Sequence, residues 1–408
     1  MNCRFCYAPL SHVFVDLKEA PPSNSFLLKE DLQKAETWYP LKLFVCDNCF
    51  LVQIAEYKKA KEIFNVGYVY FSSYSTTWLA HAKRYTEMMQ ERFGLNSQSL
   101  VIEIASNDGY LLQYFNERNI PVLGIEPTLS TAKVASEKGI ETINDFFGTA
   151  LAERLSFENR KADLLLGNNV LAHVPDLNDF VKGMKVILKQ NGVITMEFPH
   201  LVQLIQHNQF DTIYHEHFSY FSFTTVNSVF EKHGLTIFDV EEISTHGGSL
   251  RIYAKHNADE LNNISKNVNS MLEKEKSADV NRLTFYEGFQ IKVDKIKTDV
   301  LTFLNEKNIQ NKKIAAYGAA AKGNTLLNYC GIKNDLISFV ADASPHKQGK
   351  FLPGSHIPVV NEQEIMTSRP DFILVLPWNI KEEIMQQLNY VRQWNCKFVI
   401  AVPSLQIL

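Results

Sequence analysis

The sequence predicts an α/β protein in three parts. These are an N-terminal metal-binding domain, a central doubly wound seven-stranded sheet with an antiparallel edge pair, and a smaller C-terminal α/β domain. Three observations carry this. Two C-x-x-C knuckles stand near the N-terminus, strands and helices alternate regularly from Leu100 to His256, and a second strand, small-residue loop and helix begins after residue 310. At 408 residues the chain is too long for one ordinary domain, and the divisions fall at 1–67, 68–257 and 258–408. A hydrophobic content of 45% supports a sizeable core, and a net charge of −4 leaves no electrostatic footprint for nucleic acid. No apolar run approaches the ~18 residues of a bilayer span. The opening MNCRFC lacks the apolar stretch of a secretion signal. A cytoplasmic monomer with neither membrane nor nucleic acid as partner is expected.

Cys3 and Cys6 form the first knuckle, Cys46 and Cys49 the second. Four thiolates in two pairs close a tetrahedral shell, which suits a structural Zn²⁺. A redox C-x-x-C would sit beside a βαβ unit, and neither knuckle does. The following segment, 64–78, mixes aromatic and hydroxyl side chains; it reads equally as a packed face or a pocket lining. A helix over 78–94 then leads into the central sheet.

That sheet is organised around Leu100–Tyr110, LVIEIASNDGY. A buried strand ends at Ala105, and the chain turns through Ser106, Asn107, Asp108 and Gly109 into an amphipathic helix over 110–118. Such a turn is expected to bring backbone N–H groups and a helix N-terminus to a ligand. Glu103 stands before the turn, and a second strand, VLGIEP, ends at Glu126. Two carboxylates at successive strand ends suit a ligand with an amine and a ribose diol, as S-adenosylmethionine has. Neither a G-x-G-x-x-G loop nor a P-loop lysine is present, so NAD and ATP fit less well. A helix over 130–138 and a short strand follow, the strand bearing Asp145, where an adenine contact is common. A fourth strand runs from Asp163 into a loop with Asn168, Asn169 and His173. A helix over 178–189, the strand GVITMEFP, the helix TTVNSVFEKHG and the pair LTIFDVEEIS/GSLRIYAKH complete the domain.

Between the fifth strand and the next helix lies FDTIYHEHFSYFS. Tyr214, Glu216 and His217, with His215 between, concentrate a phenol, a carboxylate and two imidazoles. H-E-x-x-H is absent, so a general base is favoured over a catalytic metal. Residues 258–310 read as a long connecting helix with a solvated charged face. Beyond it, KKIAAYGAAAKGNTLLNY places Gly318, Lys322 and Asn324 in or beside a small-residue loop suited to an anion.

Together, C-R-F-C with C-D-N-C, E-I-A-S-N-D-G-Y, N-N-V-L-A-H-V-P-D, Y-H-E-H-F-S-Y-F, G-G-S-L-R and Y-G-A-A-A-K-G-N-T resemble the SAM-dependent sugar C-methyltransferases, from Cys3 to about Pro403. These methylate C3 of nucleotide-linked 4-keto-deoxysugars. The resemblance implies a zinc-binding domain, a central class I SAM-methyltransferase Rossmann-like domain and a C-terminal Rossmann-like domain for the nucleotide diphosphate. It maps the family's catalytic residues onto Tyr68, His173, Tyr214, Glu216 and His217, with His217 as the chosen base. Glu216 would orient His217 or bind a sugar hydroxyl. One departure is Ala105, where glycine is commoner; the alanine is tolerated if its φ is negative. Competing readings are an O- or N-methyltransferase, a non-catalytic SAM- and zinc-binding protein, and a nucleotide-sugar dehydrogenase. The last would need a better dinucleotide fingerprint than residues 317–323 offer.

Overall fold

The computed structural model describes residues 1–63 and 71–408. Tyr68 and the expected 67/68 division fall outside them. In the N-terminal part, β1 (His12–Ala20), β2 (Tyr39–Val45) and β3 (Val52–Ile54) pair antiparallel. Both knuckles have the same local geometry: Tyr7 and Phe50 take left-handed φ of 64° and 59°, and their N–H groups bond back to the carbonyls of Cys3 and Cys46. This gathers the four sulfurs within 4.8 Å of one another, with Cys3–Cys49 and Cys6–Cys46 both at 3.5 Å. A zinc tetrahedron with Zn–S near 2.3 Å has S–S edges of about 3.8 Å, so the thiol set fits the ion. Gln53 Nε2 donates to Cys3 Sγ at 3.2 Å, an outer contact that orients the ligand.

The central sheet contains β4 (Val101–Ile104), β5 (Val122–Ile125), β6 (Thr142–Ile143), β7 (Ala162–Asn168) and β8 (Leu188–Pro199), all parallel. One short strand, β9 (Ser219–Tyr220), leaves this domain and pairs with β3. Then β10 (Leu235–Ile243) and β11 (Ser249–His256) form the antiparallel edge pair, in the order β10-β11-β8-β7-β4-β5-β6. The order reverses between β7 and β4, which opens a crevice at the C-terminal strand ends. The leading helix spans Thr76–Phe93; Ser75 caps it by accepting from the Trp78 N–H, and Gly94 ends it in the left-handed region.

The C-terminal sheet has β12 (Ile314–Tyr317), β13 (Val340–Ala341), β14 (Val359–Val360), β15 (Phe372–Val375), β16 (Lys397–Ile400) and the antiparallel β17 (Gln406–Ile407). Its order, β14-β13-β12-β15-β16-β17, is doubly wound with a reversal between β12 and β15. The single long connecting helix is corrected. Two helices, Lys266–Ser277 and Phe289–Ile309, are separated by left-handed Asp279 and Gly288. The first belongs against the central sheet, where its buried Glu275 bonds His200 and the N–H groups of Phe223 and Thr224. The second packs under β1, with Phe14 stacked on Phe289 at 4.8 Å. One apolar core therefore runs through β1–β3, the Phe289–Ile309 helix and the C-terminal sheet, while Cys3 and Phe5 pack into the central domain's core.

A second correction concerns Ala105. Its φ is +57°, not negative, and Asn107 follows at +51°. The reversed backbone lets the N–H groups of Ala105 and Ser106 both reach the Ile125 carbonyl, at 2.8 and 3.2 Å. Left-handed backbone costs a Cβ-bearing residue ~1–2 kcal/mol, so the turn holds strain that β5 compensates. Ala105→Gly is expected to raise unfolding free energy by up to about 1 kcal/mol, after the glycine's added chain entropy; denaturant titration would read it. For the thiol cluster, Cys46→Ser should lose the bound zinc and lower Tm. Metal content and thermal melts check this, and a melt unchanged from the parent would argue against a structural ion.

Candidate active site

A cleft of about 1000 Å³ lies where the three parts meet, walled by Asn24 from the N-terminal part, by the strand ends of the central sheet, and by Gly318, Lys322 and Asp342. Of the residues expected at the cofactor, Ala105, Glu126, Asp145, Asn168 and Asn169 line it; Glu103, Ser106, Asn107, Asp108 and Gly109 do not. Four of the turn's amides are spent within the protein. Those of Ala105 and Ser106 go to Ile125, that of Asn107 to the Glu126 carboxylate at 2.9 Å, and that of Gly109 to Ser106. These four N–H groups thus bond within the protein, where the sequence reading directs them to a ligand. The turn shapes the wall and aims Glu126, whose other oxygen accepts from the Thr128 N–H.

The turn's side chains serve the same scaffold. Asn107 accepts from the Ser72 N–H, Asp108 faces Lys138 at 3.6 Å, and Ser106 lies against Gly124. Gly109 has φ +73°, and a Cβ there would stand 2.4 Å from Ile140. Glu103 is buried behind the turn. Burial, then the charges of Glu126 and Asp108, push its carboxyl well above the usual range, against the Tyr110 hydroxyl. At the end of β7, Asn168 Nδ2 and Asn169 Oδ1 are buried without a hydrogen-bond partner among the described residues.

Beside them, the segment after β8 delivers Tyr214, Glu216 and His217 to the cleft, with His173 from the loop after β7. His217 Nδ1–H donates to the Thr212 carbonyl at 2.9 Å, which leaves Nε2 as the ring's basic atom. The rings of Tyr214 and His173 lie 4.0 and 4.6 Å from that of His217. Burial, then His173, hold His217 well below the ordinary imidazole range; burial takes His173 down to about 4. Glu216 accepts from Asn24 Nδ2 at 2.7 Å. His215 points the other way, packing on Tyr39 and Tyr57.

On the C-terminal wall, the small-residue loop also satisfies itself. Gly318 N–H bonds Ala341, Ala319 N–H bonds the Asp342 carboxylate, and Ala320 N–H bonds Gly318. A Cβ at Gly318 would stand 2.3 Å from Pro377. Asn324 does not line the cleft; its side-chain amide is buried beneath the helix start. Lys322 does, with Nζ donating to Asn379 at 2.7 Å over the Trp378 ring.

Several cleft residues escaped the sequence reading. His246 follows β10 at φ +53°, accepts from Asn169 Nδ2 at 3.0 Å, and is lowered by burial to about 4. Trp78 stacks on His81 and Tyr110. His81 in turn meets Glu197, which Arg251 also pairs at 3.1 Å. The G-G-S-L-R motif was the available signal. Its Gly247 allows the Trp378 ring to approach, since a Cβ there would lie 2.4 Å away.

Family comparisons agree with this arrangement. Residues 3–64 match a zinc-binding domain, 78–240 a methyltransferase domain, and 244–403 the C-methyltransferase C-terminal domain. The chain is 32% identical over 407 residues to the C-methyltransferase NovU of Streptomyces niveus, covering 100% of this chain and 96% of that protein. Among solved structures, the PH0226 protein from Pyrococcus horikoshii OT3 is 16% identical, with a TM-score of 0.38 over 46% of this chain and 95% of its own. A SAM-dependent methyltransferase from Clostridium acetobutylicum ATCC 824 is 13% identical, with a TM-score of 0.36 over 44% of this chain and 92% of its own. Among the described residues no helix is long and apolar enough to cross a membrane. The full-length match and the three matched domains place the chain in the C-methyltransferase family, as a SAM-dependent enzyme with a zinc-binding N-terminal domain.

Proposed function

We propose that this enzyme methylates C3 of a nucleotide-diphosphate-linked 4-keto-6-deoxyhexose through an enolate. The bond from His217 Nδ1 to Thr212 is the observation that carries the reading. It fixes the tautomer, so that Nε2 can take a proton from carbon at the cleft, and burial keeps the ring uncharged beforehand. Proton removal leaves the electron pair shared between C3 and the C4 oxygen. The Tyr214 hydroxyl and the His173 imidazole stand beside His217, where a developing oxyanion gains from preorganised donors. Tyr68, outside the described residues, is a further candidate donor.

When bound, S-adenosylmethionine supplies an electrophilic methyl group. The unpartnered amide atoms of Asn168 and Asn169, the Glu126 carboxylate, and Asp145 beside Phe146 and Phe147 are suited to hold it at the β4/β7 crevice. For the diphosphate, the helix Ala321–Cys330 starts with no side-chain cap. The N–H groups of its first turn and Lys322 would serve an anion, the loop amides being already engaged. Glu216, held by Asn24, can bind a sugar hydroxyl.

His217→Ala should abolish methyl transfer while leaving SAM binding intact by calorimetry; near-parental turnover would assign the base elsewhere. A panel of nucleotide-linked 4-keto-6-deoxyhexoses, followed by mass spectrometry, should yield one product heavier by a CH₂ unit. Solvent hydrogen exchange at C3 without the methyl donor separates C- from O-methylation. The pH dependence has a defined sign. Because His217 is held below the ordinary imidazole range, the acid limb of kcat/KM should lie below about 6.5. Burial holds His173 and His246 at about 4, so the unfolded chain protonates first. Stability should be full above about 6.5 and decline as pH falls toward 4, and a Tm series reads this.

A further inference from the structure

The carbonyl that sets the His217 tautomer belongs to a short turn, Phe210–Thr212. Each side of Thr212 is gripped by the C-terminal domain. On one side, Trp378 Nε1–H donates to Asp211 Oδ2 at 2.7 Å. On the other, the Thr325 hydroxyl donates to the Ile213 carbonyl at 2.8 Å. Thr325 is 2% exposed. A helical threonine hydroxyl commonly bonds back to its own preceding turn, yet this one is directed across the domain junction. Phe210 completes the grip, its ring 5.7 Å from that of Tyr329 on the same helix.

From this we infer that Thr325 and Trp378 are positioning residues for the base. The C-terminal domain holds the Asp211–Ile213 backbone, and thereby fixes the Thr212 carbonyl against His217 Nδ1. This rests on the proposed role of His217. The same helix presents Lys322 to the cleft one turn before Thr325, and Lys322 Nζ lies 4.8 Å from the Trp378 ring centroid. Recognition of the substrate's diphosphate and orientation of the base are thus built on one element. Asp211 supports the assignment. It is fully buried, with burial raising its carboxyl to about 6 against the influence of Lys322, Trp378 and the Asp211 and Thr212 N–H groups, and its Oδ1 has no hydrogen-bond partner among the described residues. A group in that setting is held by the Trp378 N–H, and losing that donor frees the turn.

Thr325→Val and Trp378→Phe remove one donor each while keeping shape. In nitrogen-15 histidine spectra of the substrate-free enzyme, His217, assigned by its absence in His217→Gln, should show the Nδ1–H tautomer. In the double variant it should become a mixture. Donor-free hydrogen exchange at C3 of a dTDP-linked 4-keto-6-deoxyhexose and kcat should fall together, by ~10-fold in each single variant and ~100-fold in the double. KM for SAM should stay within about 2-fold, where tenfold would correspond to about 1.4 kcal/mol. Thr325→Ser should restore the parental values. A double variant that melts like the parent and keeps both the tautomer and the exchange rate would overturn the inference. Exchange surviving in His217→Ala would instead remove the base assignment, a result the substrate-free spectra distinguish.

Discussion

The hydrogen bond from His217 to Thr212 lies in a stretch of chain between β8 and β10 that is held from several directions. Its later part is drawn into the zinc-bearing sheet, where β9 pairs with β3. Its earlier part is held by Thr325 and Trp378. Between these anchors, backbone geometry sends Tyr214, Glu216 and His217 to the cleft and His215 into aromatic packing. An imidazole on a loose loop would sample both tautomers and many orientations. The surrounding domains remove that freedom in advance, which is what preorganisation means in physical terms.

This explains why the molecule has three parts and few divisions between cores. The apolar residues of β1–β3 do not close a core alone; they share one with the Phe289–Ile309 helix and the C-terminal sheet. Cys3 and Phe5 meanwhile pack into the central domain. The thiol cluster lies at the junction of these two cores. From the second knuckle the chain runs into β3, which pairs with the strand that carries Ser219 and Tyr220, two residues beyond His217.

Burial also sets protonation around the cleft. His173, His217 and His246 are all lowered, with burial as the leading cause. Glu103 is raised for the same reason, and the nearby Glu126 and Asp108 reinforce it. Two buried carboxylates keep their charge by pairing: Glu197 stays ionised between His81 and Arg251, and Glu275 beside His200. At neutral pH the cleft therefore holds three uncharged imidazoles. The charged pairs serve as struts between the helices and strands behind it.

Much was legible in the sequence because it rests on local spacing. Cysteine pairs two residues apart, apolar runs of strand length, and small residues between strand and helix indicate elements whatever their neighbours do. On that basis the seven strands, the edge pair, the knuckles and the second doubly wound unit were all readable. The sign of φ at Ala105 was not, because it depends on where the Ile125 carbonyl lies. The break at Asp279–Gly288 was missed because charge and period continue through it. Whether a turn's amides face a ligand or a neighbouring strand is likewise a matter of packing, and here packing took them. The residue types, and the chemistry they permit, are properties of the chain. Which imidazole nitrogen carries the proton turns on a carbonyl five positions away, which carboxylate reaches the cleft on an amide nineteen positions away, and Trp378 meets Gly247 across a domain junction. None of these follows from local spacing, and only the assembled tertiary structure supplies them.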